Sequence, residues 1–272
     1  MSGTREKSPA RRPAKASAPA RKTPADRVFV VFPCFNEEEG LEKLLHRFMR
    51  VSKITGRDFR YVVVNDGSHD HSVAVARSFS DEMPIHIIDF PENRGISDVF
   101  NTAFAWVLEN ASDSDVLITI DSDNTMNPFV TLDMLAALDS ADVVIASRFI
   151  PGGSMIGAGY RAFLSHVASR LMRATAAIPK VTDYSIFYRA YRVATIRAVF
   201  EHCKGQPVSG HGFSAMANLL INLREMNPRL RFAEVPLVLR YDLKRGGSSL
   251  KMMRTIYGYL VLAFGREKGG GR

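Results

Sequence analysis

Cysteine is scarce. The 272-residue chain has two, Cys34 and Cys203, which excludes a disulfide framework beyond a single bridge, and no Cys/His cluster has zinc spacing. So few thiols read as a reducing, intracellular setting. No apolar run reaches the ~18 residues that a membrane span needs. The longest late candidate, residues 256–264 (IYGYLVLAF), reads instead as one face of a helix. The basic start is not followed by an apolar h-region, which argues against a signal peptide. Self-similarity at 20–50 residues is absent, so a solenoid is excluded. What remains is ordinary globular composition, 46% hydrophobic and 24% charged, at a length that allows one large domain or two small ones.

The net charge of +8 is unevenly placed. Residues 1–27 hold eight Lys/Arg against Glu6 and Asp26, a net of +6 that leaves +2 for the rest. With Pro and Ala abundant and little to bury, this stretch is expected to be a disordered tail. It serves either as a solubilising extension or as an electrostatic tether to an anionic surface. The near-neutral remainder lacks the basic stripe of a nucleic-acid-binding domain, and no nucleic-acid partner is expected. Residues 28–265 read as one domain and 266–272 as a flexible end.

From Val28 strands alternate with helices. Strand patterns at 28–33, 60–66, 84–89, 115–121 and 141–147 are separated by helical patterns at 38–53, 72–80, 97–110 (with Ser97 as a possible cap) and 128–140, the last opening at Pro128. Such βαβ units imply an α/β fold with a mainly parallel, nucleotide-binding sheet covered on both faces. After Ser147 the rhythm breaks. A Gly-rich loop (148–160), a helix (161–175), a stretch that fits neither pattern (183–192), a helix (212–226), an alternating strand (231–241), a basic loop (242–249) and a final amphipathic helix (250–267) follow. This irregular half is expected to close over the carboxyl edge of the sheet, where open α/β sheets bind ligands.

Strand four runs straight into Asp121-Ser122-Asp123. Two carboxylates at i, i+2 repel one another unless a cation lies between them, and hard divalent ions such as Mg²⁺ or Mn²⁺ take oxygen ligands together with substrate phosphates. D-x-D sequences also serve as plain caps, but here a buried strand precedes. Residues 117–125 (LITIDSDNT) also fit the template of a haloacid-dehalogenase phosphatase, in which Asp121 would be the nucleophile. That template expects the motif on the first strand and a later acidic pair, whereas here three βα units precede and Asp133, Asp139, Asp142, Asp183 and Asp242 stand alone. Upstream, Asn36-Glu37 and Asn65-Asp66-Gly67-Ser68 also follow strands. They would bring amide and carboxylate acceptors to the same edge, the right chemistry for the donors of a nucleoside.

At these residues the chain resembles family-two inverting glycosyltransferases of the GT-A fold, and more narrowly the dolichol- or polyprenol-phosphate mannose synthase group. The likeness rests on FPCFNEEEGL, VVVNDGS, ENRG, DSD, ASRFIPGG, DYSIFYRAYR, GHGF and RYDLKRGGSS. It implies that Pro33, Glu37 and Asp66, with Phe35, Asn36, Asn65, Ser68, Arg94, Gly95 and Ser122 around them, hold a UDP- or GDP-linked sugar. It implies Asp121 and Asp123 as metal ligands and Lys244 and Arg245 as a loop over the donor diphosphate. Arg148, Arg161, Ser165 and Arg189 would meet the phosphate of a polyprenyl phosphate acceptor, since Arg suits bidentate phosphate recognition. The chain departs from the family pattern at Thr125, where another polar ligand is usual, at Asn218, where an acidic residue is usual, and at 183–189, which lack the usual glycine.

The reaction so implied is an in-line displacement with inversion, governed by positioning and charge stabilisation. An anionic lipid phosphate needs no strong base. A hydroxyl acceptor does, and Asp183 or His211 are then the candidates. The setting expected is cytoplasmic, peripheral at a membrane that the final helix and the helix beginning near Arg161 would touch. A soluble acceptor, or a non-enzymatic nucleotide-sugar-binding protein, stays as the alternative.

Overall fold

The computed structural model describes residues 27–243 and Val261. The expectations for the basic tail, for Lys244 and Arg245 and for the final helix fall outside the described residues. In chain order the elements are β1 (Arg27–Cys34), α1 (Glu38–Thr55), β2 (Asp58–Asp66), α2 (Ser72–Ser78), β3 (Ile85–Phe90), α3 (Ile96–Asn110), β4 (Val116–Thr119) and α4 (Val130–Ala137). Next come β5 (Val143–Ser147), β6 (Ser154–Ile156), α5 (Tyr160–Ala176), β7 (Arg189–Arg192), α6 (Val193–His202), α7 (Phe213–Met226), β8 (Phe232–Pro236), β9 (Val238–Arg240) and a 3₁₀ turn, Tyr241–Leu243.

Seven strands form one sheet in the order β3-β2-β1-β4-β7-β5-β8, parallel except for β7, which runs antiparallel to β4 and β5. The near-continuous apolar runs of β1, β2, β4 and β5 follow from burial on both faces. α1 shows how the helices are specified. Leu41, Leu44, Leu45, Phe48 and Val51 form its buried stripe, Glu38 and Glu39 suit the positive end of its dipole, and Gly56 ends it at φ 62° while donating to Ser52 O. The strand order reverses between β1 and β4, so a crevice opens there at the carboxyl edge.

The alternating half agrees with the sequence reading, with shifts of a few residues. Arg27 already belongs to β1, and Asp115 holds it, accepting from its N–H at 3.0 Å and its guanidinium at 2.8 Å. Ser97 is not the cap of α3: Gly95 holds that position, and the Ser97 hydroxyl donates to Gly210 O at 2.7 Å. α4 opens at Val130, after a turn in which Asn127 Oδ1 accepts from Phe129 N–H at 3.3 Å. The second half holds the larger departures. The stretch that fitted neither pattern supplies β7, and α6 follows it directly. The strand expected over 231–241 is split at Leu237, whose N–H donates to Ser147 O (2.9 Å) while its carbonyl accepts from Ser154 N–H (3.0 Å). β8 therefore ends the large sheet, and β9 pairs with β6 inside what reads as a loop.

Trp106, the one tryptophan, gives a probe of this packing. Its ring stacks on His86 of β3, centroids 4.2 Å apart and planes 12° from parallel. Burial lowers the His86 pKa from its ordinary value of about 6.5. Protonation of the imidazole is expected to quench the indole. Trp106 emission should therefore fall with pH along a titration centred below pH 6.5, and lose that titration in His86→Gln. The stability His86 contributes is present above the unfolded pKa and lost as pH falls through the folded one. Emission that stays flat from pH 8 to 4 would contradict the stack.

Candidate active site

Three loops meet at the crevice. In the first, after β1, Asn36 is left-handed at φ 54°. Its N–H donates to Ser68 Oγ at 2.9 Å, and its Oδ1 accepts from His69 N–H at 2.8 Å. Glu37 N–H donates to Ser72 Oγ (3.0 Å) and Glu38 N–H to Asp70 Oδ2 (3.1 Å). The loops after β1 and β2 thus form one unit. Beside this unit is an open cleft of about 290 Å³ lined by Asn36, Glu37, Lys43, Asp70, Asp123 and Asn124.

The second loop begins at Asn65 and Asp66, the last two residues of β2. Asn65 donates to Asp89 Oδ1 at 2.7 Å and accepts from Ser68 N–H at 3.1 Å. Asp66 accepts from Arg94 N–H at 2.7 Å and from Gly95 N–H at 3.0 Å. Burial raises its pKa, and these two backbone donors oppose the rise. Gly67, which follows Asp66, sits at φ 71°, and a Cβ there would meet the Glu92 carbonyl carbon at 2.5 Å. Only glycine lets the two segments approach so closely. Arg94 is exposed and its guanidinium lies over the Phe90 ring, 4.7 Å from the centroid.

The third loop is Asp121-Ser122-Asp123. The Ser122 hydroxyl donates to Pro33 O at 2.8 Å, tying the end of β4 to the end of β1. Thr125 donates to Asp123 Oδ1 from its N–H (3.0 Å) and its hydroxyl (2.6 Å), so one carboxylate oxygen is committed to the turn. Thr125 is thereby itself engaged. Asp121 and Asp123 are both half-buried. Among the described residues no cluster of three or more His, Cys, Asp or Glu could hold a metal ion. Two carboxylates alone do fit an ion of the Mg²⁺ or Mn²⁺ kind, which uses one or two carboxylates and completes its shell with substrate phosphate and water. Pro33, Asn65 and Asp66 at strand ends, and Phe35, Asn36, Glu37, Ser68, Arg94, Gly95, Asp121, Ser122 and Asp123 on the loops that follow, therefore all sit at the carboxyl edge of the sheet.

The residues expected at the acceptor are arranged differently. Arg148 forms a fork with Asp183, Nε to Oδ2 and Nη2 to Oδ1 both at 2.7 Å, and its Nη2 also donates to the Ser185 hydroxyl. The side chains of Arg148 and Asp183 are 2% and 0% exposed. Burial alone would raise the Asp183 pKa, but the Arg148 guanidinium and its hydrogen bonds more than reverse this and hold it below the ordinary carboxylate value. A fully buried carboxylate held ionised in an ion pair is a poor general base, so the catalytic role expected for Asp183 does not fit. A guanidinium already forked on a carboxylate is likewise not presented to a phosphate, and Arg148 is corrected on the same ground. Arg189 is wholly buried and donates to Met216 O (2.7 Å) and Tyr184 O (2.8 Å), so it works inside the fold rather than at an acceptor. Ser165 is half-buried on α5, and Arg161 stands in the first turn of the same helix. His211 is exposed.

Sequence reasoning passed over Glu234. It accepts from Thr182 N–H (2.7 Å), the Thr182 hydroxyl (2.6 Å) and Asp183 N–H (2.9 Å), fixing the segment that carries Asp183. Asn218, marked in the sequence only as a departure from the family pattern, has a structural partner: its Oδ1 accepts from the Ser209 N–H and hydroxyl, both at 3.0 Å. A carboxylate in a strand and an amide in a helix leave no local signal, because their partners are distant in sequence.

A family model described as glycosyl transferase family 2 matches residues 29–200. The chain belongs to glycosyl transferase family 2. This glycosyltransferase is 32% identical over 175 residues to an undecaprenyl-phosphate mannosyltransferase of Micrococcus luteus, covering 64% of this chain and 69% of that one. It is 28% identical over 223 residues to a polyprenol monophosphomannose synthase of Mycolicibacterium smegmatis, covering 80% and 79%. Among solved structures it is similar to a glucosyl-3-phosphoglycerate synthase from Mycobacterium tuberculosis, in complex with Mn²⁺, UDP and glucosyl-3-phosphoglycerate. The TM-score is 0.63 at 18% identity, over 90% of this chain and 82% of that one. That likeness shows the GT-A fold. Family membership sets aside the phosphatase reading of the D-x-D-x-T stretch. No helix among the described residues is long and apolar enough to cross a membrane.

Proposed function

We propose that this glycosyltransferase moves a sugar, with inversion, from a nucleoside diphosphate sugar to a polyprenyl phosphate in a reaction that uses Mg²⁺ or Mn²⁺. The observation that carries the donor side is that Glu37, Asp66, Asp121 and Asp123 follow or end β1, β2 and β4 at the carboxyl edge, where the strand order reverses between β1 and β4. Asp66 and Glu37 accept from the nucleoside; a carboxylate has about four lone-pair sites, so Asp66 keeps capacity beyond its two backbone donors. Asp121 and Asp123 hold the divalent ion, which supplies charge neutralisation for the departing diphosphate. Lys244 and Arg245 would supply positive charge to that diphosphate.

The acceptor class is supported by the two relatives, one named for undecaprenyl phosphate and the other for polyprenol monophosphomannose. It is also supported by the state of Asp183. With that carboxylate locked to Arg148, the base that a hydroxyl acceptor needs is lacking at this position, whereas a phosphate attacks as an anion. Arg161 and Ser165, one turn apart on α5, are the acceptor-side candidates that remain. The same helix exposes Phe163 (70%) and Val167 (49%) one turn apart. This apolar face, with exposed Arg170 and Arg173 behind it, suits peripheral contact with the membrane that holds a lipid acceptor.

The test is a donor and acceptor screen. Full-length protein is incubated with UDP-, GDP- and dTDP-sugars, a short polyprenyl phosphate and Mn²⁺ or Mg²⁺, with Asp123→Ala alongside. One donor should give a lipid-linked sugar, with the product falling at least ~100-fold in the variant or in chelator. Transfer only to water or to a soluble hydroxyl would overturn the acceptor. Turnover unchanged in both Asp123→Ala and chelator would overturn the metal.

A further inference from the structure

α1 packs two of its residues, two turns apart on one face, against the loop that carries Asp121 and Asp123. At Gly40 the helix lies directly on the backbone of Ser122 and Asp123. At Arg47 the guanidinium reaches across that loop, Nη1 donating to Asn124 Oδ1 at 2.8 Å and Nη2 to Asn127 Oδ1 at 2.7 Å. Asn124 follows Asp123 directly and is left-handed at φ 55°, a conformation that asparagine tolerates better than most residues with a side chain. Asn127 also accepts from Phe129 N–H, the start of the turn into α4.

We propose that Arg47 is a positioning residue for the metal site: its fork holds both ends of the segment 124–127 and thereby sets where the Asp123 carboxylate points. The inference rests on the reading that Asp121 and Asp123 take the divalent ion. Its physical content is geometric. Both acceptors are amide oxygens rather than carboxylates, and a planar fork spans two of them at once where an ammonium is a single point charge. Asp123 is held on one side by Thr125 and, through its neighbour Asn124, by Arg47. Groups that orient metal ligands without touching the ion typically change affinity 10- to 100-fold when removed. The charge of Arg47 acts in the opposite direction, since a cation beside the site repels another.

The two effects are separated by comparing Arg47→Lys, which keeps the charge and loses the fork, with Arg47→Met, which loses both. Mn²⁺ affinity of the full chain is read by the EPR signal of the free ion, with thermal unfolding measured in parallel. Both variants are expected to bind Mn²⁺ about 10-fold more weakly and to unfold within a few degrees of wild type. Asn127→Ala, at an exposed position, removes one arm of the fork with little risk to folding and should weaken binding in the same direction. Wild-type affinity in Arg47→Lys, or tighter binding in Arg47→Met, would mean that only charge matters and would overturn the proposal. Asp123→Ala run beside them separates the two layers. If it binds Mn²⁺ as wild type does, the metal assignment fails and the inference with it; if it loses Mn²⁺ while the Arg47 variants do not, the inference alone fails.

Discussion

Replacing Asp183 by asparagine is expected to destabilise the protein by about 3–5 kcal/mol, the cost of breaking a buried ion pair from one side. Arg148 would keep a neutral oxygen to donate to but remain charged, 2% exposed and without its counter-ion. For a domain of this size the change corresponds to a fall in Tm of roughly 10–15 °C. Arg148→Met should cost a similar amount. The pair Arg148→Met/Asp183→Leu should lie closer to wild type than either single variant, because apolar replacement of both partners removes the stranded charge. The effect must also depend on pH with a definite sign. The folded pKa of Asp183 lies below its ordinary value. The stability it contributes is therefore complete above the unfolded pKa of about 3.9 and is lost as pH falls through the folded one. Wild type and Asp183→Asn should thus differ most above the unfolded pKa of about 3.9 and draw closer only as pH falls below it, read by Tm across that range. A loss below 1 kcal/mol at pH 7 would show that the fork is not fixed in solution. It would return Arg148 to the list of groups available to an acceptor phosphate.

The same pair shows why some of the site could be read from the chain and some could not. Asp66, Asp121 and Asp123 end strands whose apolar runs mark them as buried, so their place at the carboxyl edge follows from the pattern of strands alone. Arg148, Arg189 and Asp183 carry no such mark. An arginine in a sequence looks the same whether it faces a ligand or a carbonyl, and here the partners, Asp183, Met216 and Tyr184, come from other segments. β7 was hidden for a related reason. Its four residues, RAYR, hold two charges and alternate over too short a span for periodicity to show. It is defined by its neighbours, pairing antiparallel with β4 and β5. The split of 231–241 into two strands likewise depends on Leu237 bonding to Ser147 and Ser154, both far away in sequence.

Gly40→Ala is the change expected to separate activity from stability most sharply. Gly40 lies in the first turn of α1, where replacing glycine by alanine ordinarily stabilises a helix by about 1 kcal/mol. Here the added Cβ would stand 2.6 Å from Ser122 O, 2.8 Å from Asp123 Cα and 3.0 Å from the Asp123 carbonyl carbon. All three are backbone atoms, which no change of rotamer can move aside. Overpacking of this kind costs about 1–3 kcal/mol, so the two contributions partly cancel and Tm should change by only a few degrees. Relief has to come from displacement of the loop, because α1 is fixed by its buried stripe of Leu41, Leu44, Leu45, Phe48 and Val51. A shift near 1 Å at Asp123 is enough to cost about 100-fold in rate. The expected result is therefore a protein that folds and unfolds much as wild type does and turns over at least ~100-fold more slowly. Raising Mn²⁺ should recover part of the loss if the displaced carboxylate has lost affinity, and none of it if the ion still binds but out of line. Rates within 3-fold of wild type, measured with the donor and acceptor selected by the screen, would mean that the loop tolerates the methyl group. The close seating of α1 on Asp123 would then have no part in setting the site.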